Sequence, residues 1–189
     1  MSQHKCGWCL GDALYEQYHD NEWGVPVKED RVFFEFIILE SFQAGLSWIT
    51  ILRKRENFKK AFDAFDYEKI ANYDEKKIAQ LLQNEGIIRN KLKVKAAVTN
   101  AQAFMEIQKK YGSFSDYVWD FVDGKALQNE ITNYKEAPTT RPESDALSKD
   151  LKKRGFKFMG LTVVYAFMQA TGLVNDHELT CFRQTEVKK

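Results

Sequence analysis

The chain carries only three histidines and three cysteines, and two of each could meet around one metal ion. His177 and Cys181 are four residues apart, the interval that puts two side chains on one face of a helix. Cys6 and His19 lie at the other end of the chain. Two cysteines and two histidines make a closed tetrahedral donor set of the kind that holds structural zinc. Such a site would tie the N-terminal segment to the C-terminal one, and zinc bound in this way can contribute on the order of 10 kcal/mol to the folding of small domains. The spacing leaves other readings open. Cysteine is often just a small buried apolar residue, and Cys9 could stand in for one of the four ligands. Cys6-Gly-Trp-Cys9 is also a CxxC, which can be a redox pair in a cytosolic protein. That motif ordinarily opens a helix after a strand, and no strand pattern precedes Cys6.

A second constellation sits in the first third of the chain. Trp8, Tyr15, Tyr18, Trp23 and Trp48 crowd there, three of the four tryptophans among them. Glu40 lies between them, flanked by Ile37, Ile38, Leu39 and Phe42. A carboxylate on so apolar a stretch must find a partner if it is buried. One reading is a half-exposed helix residue beside ordinary core aromatics. The other is a polar anchor in an aromatic slot, where a flat nitrogen-rich ring stacks on Trp48 and donates from its amino group to Glu40. Stacking of that kind is worth ~1–3 kcal/mol per base.

The elements that must carry these residues are helical. Apolar residues recur at intervals of three and four from Val32 to Leu52. Lys91–Tyr111 is a second long helical stretch. Asp74 can cap a helix running to Leu82, and Ser113 with Asp116 reads as a capping pair. Glu136–Glu143, with Pro138 and Pro142, is the clearest loop. A helix is expected from Ser144, closed by Gly155, and another from Gly160, so this part reads helix, short hairpin, helix. No period-two run, internal repeat or low-complexity segment stands out.

The 189 residues suit a single domain, 1–189, and a chain of this length can bury roughly 70% of its unfolded surface without a staple. The net charge of +1 argues against coating nucleic acid by bulk charge, though local basic clusters and backbone amides can still grip phosphates. Three cysteines make no full disulfide framework, and no secretory leader is legible, so a reducing cytosol is expected. The longest apolar run is far too short to span a bilayer.

Several longer strings are more specific: Tyr18-His19-Asp20-Asn21-Glu22-Trp23-Gly24-Val25-Pro26, Gln43-Ala44-Gly45-Leu46-Ser47-Trp48, Ser144-Asp145-Ala146-Leu147-Ser148, Lys152-Lys153-Arg154-Gly155-Phe156-Lys157-Phe158 and Gly172-Leu173-Val174-Asn175-Asp176-His177. In this order, from about Cys6 to Cys181, the chain resembles the bacterial DNA-3-methyladenine glycosylase I family. The resemblance implies an all-α helix-hairpin-helix glycosylase fold whose N- and C-terminal segments form one zinc-bound lobe. It implies one structural zinc on Cys6, His19, His177 and Cys181, with Cys6 preferred over Cys9. It places the family's base-recognition glutamate on Glu40, its stacking tryptophan on Trp48 and a pocket tyrosine on Tyr18, with Tyr15, Trp8 and Trp23 as further walls. Gly45 and Leu46 fall where the family presses a loop into the gap left by an extruded base.

The implied partner is double-stranded alkylated DNA and the implied product free 3-methyladenine, in the bacterial cytoplasm, with no membrane and no obligate protein partner. Hairpin amides near Gly160, with Lys157 and the Lys152–Arg154 cluster, would hold phosphate. The hairpin lacks the two glycines spaced two apart of other helix-hairpin-helix enzymes, and Phe158 stands where the first would be. Gly160 is followed by Leu161 and Thr162 rather than the lysine some relatives use as a nucleophile, so a monofunctional enzyme is expected. Asp176 is the nearest candidate for an aspartate that stabilises a sugar cation, but its place beside His177 suits a supporting role in a loop better. A non-catalytic binder of alkylated DNA and a thiol oxidoreductase are the competing readings.

Overall fold

The computed structural model describes residues 4–188. Ten helices in the described residues carry the fold: α1 (Ala13–Asn21), α2 (Asp30–Gln43), α3 (Trp48–Ala61), α4 (Tyr67–Ile70), α5 (Glu75–Gln83), α6 (Lys91–Tyr111), α7 (Phe114–Asp120), α8 (Pro142–Lys153), α9 (Leu161–Ala170) and α10 (Arg183–Glu186). The centre is α2. Its residues Phe33, Phe34 and Phe36–Phe42 are all buried, and it packs against α3, α6, α7 and α9. A helix apolar on every side belongs inside a helical assembly.

The apolar run from Val32 to Leu52 is therefore two helices. The chain turns at Gly45, which has φ +84°, a conformation that a side chain would strain. Leu46 N–H closes the turn onto the Gln43 carbonyl at 2.6 Å. The caps follow the sequence closely. Asp74 accepts from Lys77 N–H and Ser113 from Asp116 N–H. Asn90 opens α6 by accepting from Leu92 and Lys93 N–H.

α8 starts two residues before the expected Ser144. Pro142 occupies its first turn, and Ser144 Oγ accepts from Arg141 N–H at 2.8 Å. Proline suits that position because its missing N–H would be unsatisfied there in any case. At the other end Phe156 N–H reaches back over Gly155 to the Leu151 carbonyl at 3.0 Å, the six-to-one bond that ends a helix. Phe158 has φ +58°, a left-handed backbone that ordinarily favours glycine.

Two short parallel strands, β1 (Leu127–Gln128) and β2 (Val174–Asn175), escaped the sequence reading. They are two residues each, too short for a period-two pattern. A further bridge joins Ile131 to Glu178, and Phe182 N–H bonds the His4 carbonyl at 3.0 Å. The C-terminal segment is thus laid beside both the 127–131 stretch and the N-terminus.

Candidate active site and metal centre

The four expected metal ligands meet. Cys6, His19, His177 and Cys181 are all buried, and their ligand atoms lie within 4.8 Å of one another. His19 comes from the last turn of α1. His177 and Cys181 do not share a helix as their spacing suggested. They lie on a turn after β2, where Cys181 N–H bonds the Glu178 carbonyl at 2.8 Å. A turn of this size brings residues four apart together as a helix would.

The geometry suits a tetrahedral ion. Cys6 Sγ lies 3.5 Å and Cys181 Sγ 3.6 Å from His177 Nδ1, and Cys181 Sγ is 3.4 Å from His19 Nε2. An ion bound at about 2.3 Å to sulfur and 2.0–2.1 Å to nitrogen sets N···S edges of about 3.6 Å. The outer nitrogens are already engaged. His19 Nδ1 is 2.8 Å from Asp20 Oδ1, and His177 Nε2 is 3.0 Å from the Trp23 carbonyl. Each partner is an acceptor, so those nitrogens carry the protons and the inner ones present lone pairs. The nearness of the two sulfurs holds the Cys181 thiol well below the usual range and pushes Cys6 well above it. A divalent cation would hold both as thiolates.

Cys9 stands apart from this quartet. Its Sγ donates to the Cys6 carbonyl at 3.2 Å, and burial pushes its thiol up to about 11. A buried thiol of that kind is inert, which removes the basis for a redox CxxC.

Beside the Cys/His quartet lies a cavity of about 210 Å³. For scale, a cavity of about 150 Å³ admits benzene. Trp8, Tyr15, Tyr18, Trp23, Glu40 and Trp48, all expected pocket residues, line it together. Tyr18 and Trp48 are 5.6 Å apart between ring centres, and Phe36 backs Trp48 at 6.4 Å with nearly parallel rings. Trp8 packs edge-on against Tyr15 at 4.8 Å and Trp23 at 4.9 Å. Trp23 in turn meets the His177 ring at 4.6 Å. The aromatic wall therefore continues directly into the Cys/His quartet.

Glu40 is 3% exposed. Its Oε2, like the indole N–H groups of Trp8 and Trp48, is buried without a hydrogen-bond partner among the described residues. Burial alone pushes its carboxyl up to about 8. Leaving a buried polar group unpaired costs about 1–3 kcal/mol, so an orphaned carboxyl beside a cavity points to a ligand that supplies the missing donor.

Sequence reasoning missed several lining residues: Gln43, Tyr134, Ala137 and Gln169. Gln43 was within reach, since it follows Glu40 by one helical turn. Tyr134 was not, because it opens a three-residue 3-10 turn too short to show a period. Asp176 lines the cavity itself, beyond the supporting part expected of it. Its carboxylate accepts from Tyr165 Oη and Gln169 Nε2, both at 2.7 Å, and from Asn129 Nδ2 at 2.5 Å.

The residues expected to touch DNA fall into two groups. Gly45 and Leu46 are exposed on the turn between α2 and α3. Lys157 and Gly160 share a concave surface with Lys149, Lys152 and Phe158 at the α8–α9 hairpin. Arg154 turns away from that surface, bonded to Asp150 at 2.5 Å and to Tyr111 Oη at 2.6 Å.

Residues 8–184 match the family model described as methyladenine glycosylase. The chain is 50% identical over 177 residues to DNA-3-methyladenine glycosylase 1 of Escherichia coli (strain K12), covering 94% of this chain and 95% of that protein. The fold is similar to a crystal structure of 3-methyladenine DNA glycosylase I, with a TM-score of 0.92 at 51% identity, over 95% of this chain and 98% of that one. It is equally similar, with a TM-score of 0.92 at 36% identity, to a tyrosine-to-phenylalanine variant of 3-methyladenine DNA glycosylase I in complex with 3-methyladenine, over 98% of this chain and 97% of that one.

Proposed function

This chain belongs to the methyladenine glycosylase family, and we propose that it is a DNA repair enzyme that hydrolyses the N-glycosidic bond of 3-methyladenine in alkylated duplex DNA. The observation that carries the reading is Glu40, buried and short of a donor on the wall of an aromatic cavity.

A base inside a duplex is out of reach, so the nucleotide must be extruded, at a cost of a few kcal/mol that is smaller for a damaged base. Leu46, on its exposed turn, would fill the gap. The hairpin around Lys157 and Gly160, read as a helix-hairpin-helix element, would hold phosphate. In the cavity the base stacks on Trp48, with Tyr18, Tyr15, Trp8 and Trp23 around it. Methylation at N3 makes the ring cationic, so the stack gains a cation–π contribution of ~0.5–2 kcal/mol. The same cation draws the proton off Glu40, whose carboxylate then pairs with the ring and accepts from its amino group.

The methylated ring is already a good leaving group. The C1′–N9 bond breaks with its electron pair passing to the ring, which departs as neutral 3-methyladenine. Water adds at C1′ and loses a proton to solvent, leaving an abasic site. No lysine follows the hairpin, so the strand is not cut.

Cys6, His19, His177 and Cys181 suit one zinc ion. Four protein ligands leave no open position for an activated water, so the ion's part is to clasp the two ends of the chain. No helix among the described residues is long and apolar enough to cross a membrane, and the bacterial cytoplasm is the compartment we assign.

Incubation of the purified protein with N3-methylated duplex DNA tests the reading. Release of free 3-methyladenine, with no borohydride-trapped adduct, is expected. Tight binding without release would favour a non-catalytic sensor of alkylated DNA instead.

A further inference from the structure

The two surfaces assigned to DNA are far apart in sequence, yet one helix face holds both. Lys93 of α6 is 6% exposed, and its Nζ donates to the carbonyls of Phe42 and Ala44, each at 2.9 Å. Those carbonyls end α2 and begin the Gly45–Leu46 turn. Asn100 of α6 is fully buried, and it grips the hairpin from both sides. Its Oδ1 accepts from Lys157 N–H at 2.8 Å and its Nδ2 donates to the Lys157 carbonyl at 3.1 Å. Lys93 and Asn100 lie seven residues apart on one continuous helix. Seven residues complete nearly two turns, so the two side chains share a face, about 10.5 Å apart along the axis.

From this geometry we infer that α6 is a ruler: Lys93 and Asn100 fix the separation between the turn that enters the duplex and the hairpin that grips its backbone. Both are positioning residues, and the inference rests on the assignment of those two surfaces to DNA. Each clamp is a double hydrogen bond onto main chain, which immobilises a backbone segment more firmly than packing of one side chain. Both clamped segments carry their tips into solvent. Leu46 is 40% exposed and Phe158 is 37% exposed, and a Cβ built on Gly45 or on Gly160 would meet nothing within 4 Å. A pre-set spacing lowers the ordering cost of binding, because neither surface has to be positioned at the moment of contact.

The test separates grip on DNA from grip on the base. Asn100→Asp keeps the acceptor and loses the donor with almost no change in volume, and Lys93→Met removes the ammonium while keeping most of the stem. Each should raise KM for a methylated duplex about tenfold, equivalent to about 1.4 kcal/mol, with the affinity for free 3-methyladenine unchanged in Asn100→Asp. Lys93→Arg, which can still donate to two carbonyls, should recover most of the Lys93→Met loss. An unchanged KM in both variants would overturn the inference. So would a loss of free-base affinity in Asn100→Asp that matched its loss on DNA, because the effect would then be general damage. Leu46→Ala serves as the control. If it left KM for DNA unaltered, the assignment of that turn to DNA would be wrong and the ruler would fall with it; an effect of Leu46→Ala without one of Lys93→Met or Asn100→Asp would sink the ruler alone.

Discussion

His177 Nε2 donates a 3.0 Å hydrogen bond to the carbonyl of Trp23, and the Trp23 ring lines the cavity that holds Glu40. A residue of the buried Cys/His quartet thus holds a wall of the aromatic cavity. The clasp of the chain ends and the shape of the pocket are one construction.

Removal of the metal should therefore be felt in the pocket. Chelation is expected to shift tryptophan emission, weaken binding of 3-methyladenine and lower the melting temperature by more than about 10 °C, at about 2–4 °C per kcal/mol for a chain of this size. Spectroscopic titration of the chelated and reloaded protein checks it. Full base affinity in the metal-free protein would separate the two sites.

Gly24 should be intolerant of a side chain. It sits at φ +79°, and a Cβ there would lie 2.9 Å from His177 Nε2. Gly24→Ala strains the backbone by about 1–3 kcal/mol and pushes on the ring that holds Trp23. Metal affinity, measured by competition with a chromogenic chelator, should fall along with stability.

The raised carboxyl of Glu40 makes a signed prediction for pH. Its folded value is about 8 against an ordinary 4.5, so the folded state holds a proton that the unfolded state has lost. The contribution is fully present below pH 4.5 and is lost as pH rises toward 8, by up to roughly 4–5 kcal/mol. Glu40→Gln cannot ionise and escapes that loss. The variant should gain stability relative to the parent chain as pH is raised from 5 to 8. A pH-independent difference in denaturant midpoints would contradict the burial of an unpaired carboxyl.

Trp48→Ala should lose the stacking platform. The expected cost is ~1–3 kcal/mol of base affinity, seen as weaker binding of free 3-methyladenine. Phe36→Leu, which alters the backing of Trp48 without touching the cavity lining, should have a smaller effect.

Much of this was legible in the chain. Caps at Asp74 and Ser113 and the full length of α6 follow from local chemistry, because polar capping groups and helical periods act over a few residues. The Cys/His quartet was legible as a donor set, although the spacing of His177 and Cys181 suits a helix where the molecule uses a turn. The turn at Gly45 was legible through the resemblance, which puts a loop there, and not through helical period, because apolar residues recur at helical spacing on both sides of it. Tyr134 and the clamps at Lys93 and Asn100 were not legible at all. They depend on contacts between residues dozens of positions apart, and an isolated lysine or asparagine on a helix gives no sign of its partner.

Glu40 is expected to supply the polar contact to the base inside the aromatic cavity. Titration of free 3-methyladenine into the parent chain and Glu40→Gln, followed by tryptophan fluorescence, tests it most directly. At least tenfold weaker binding in the variant, equivalent to about 1.4 kcal/mol, is expected, with the metal retained. Equal affinity in the two proteins would contradict that role of Glu40.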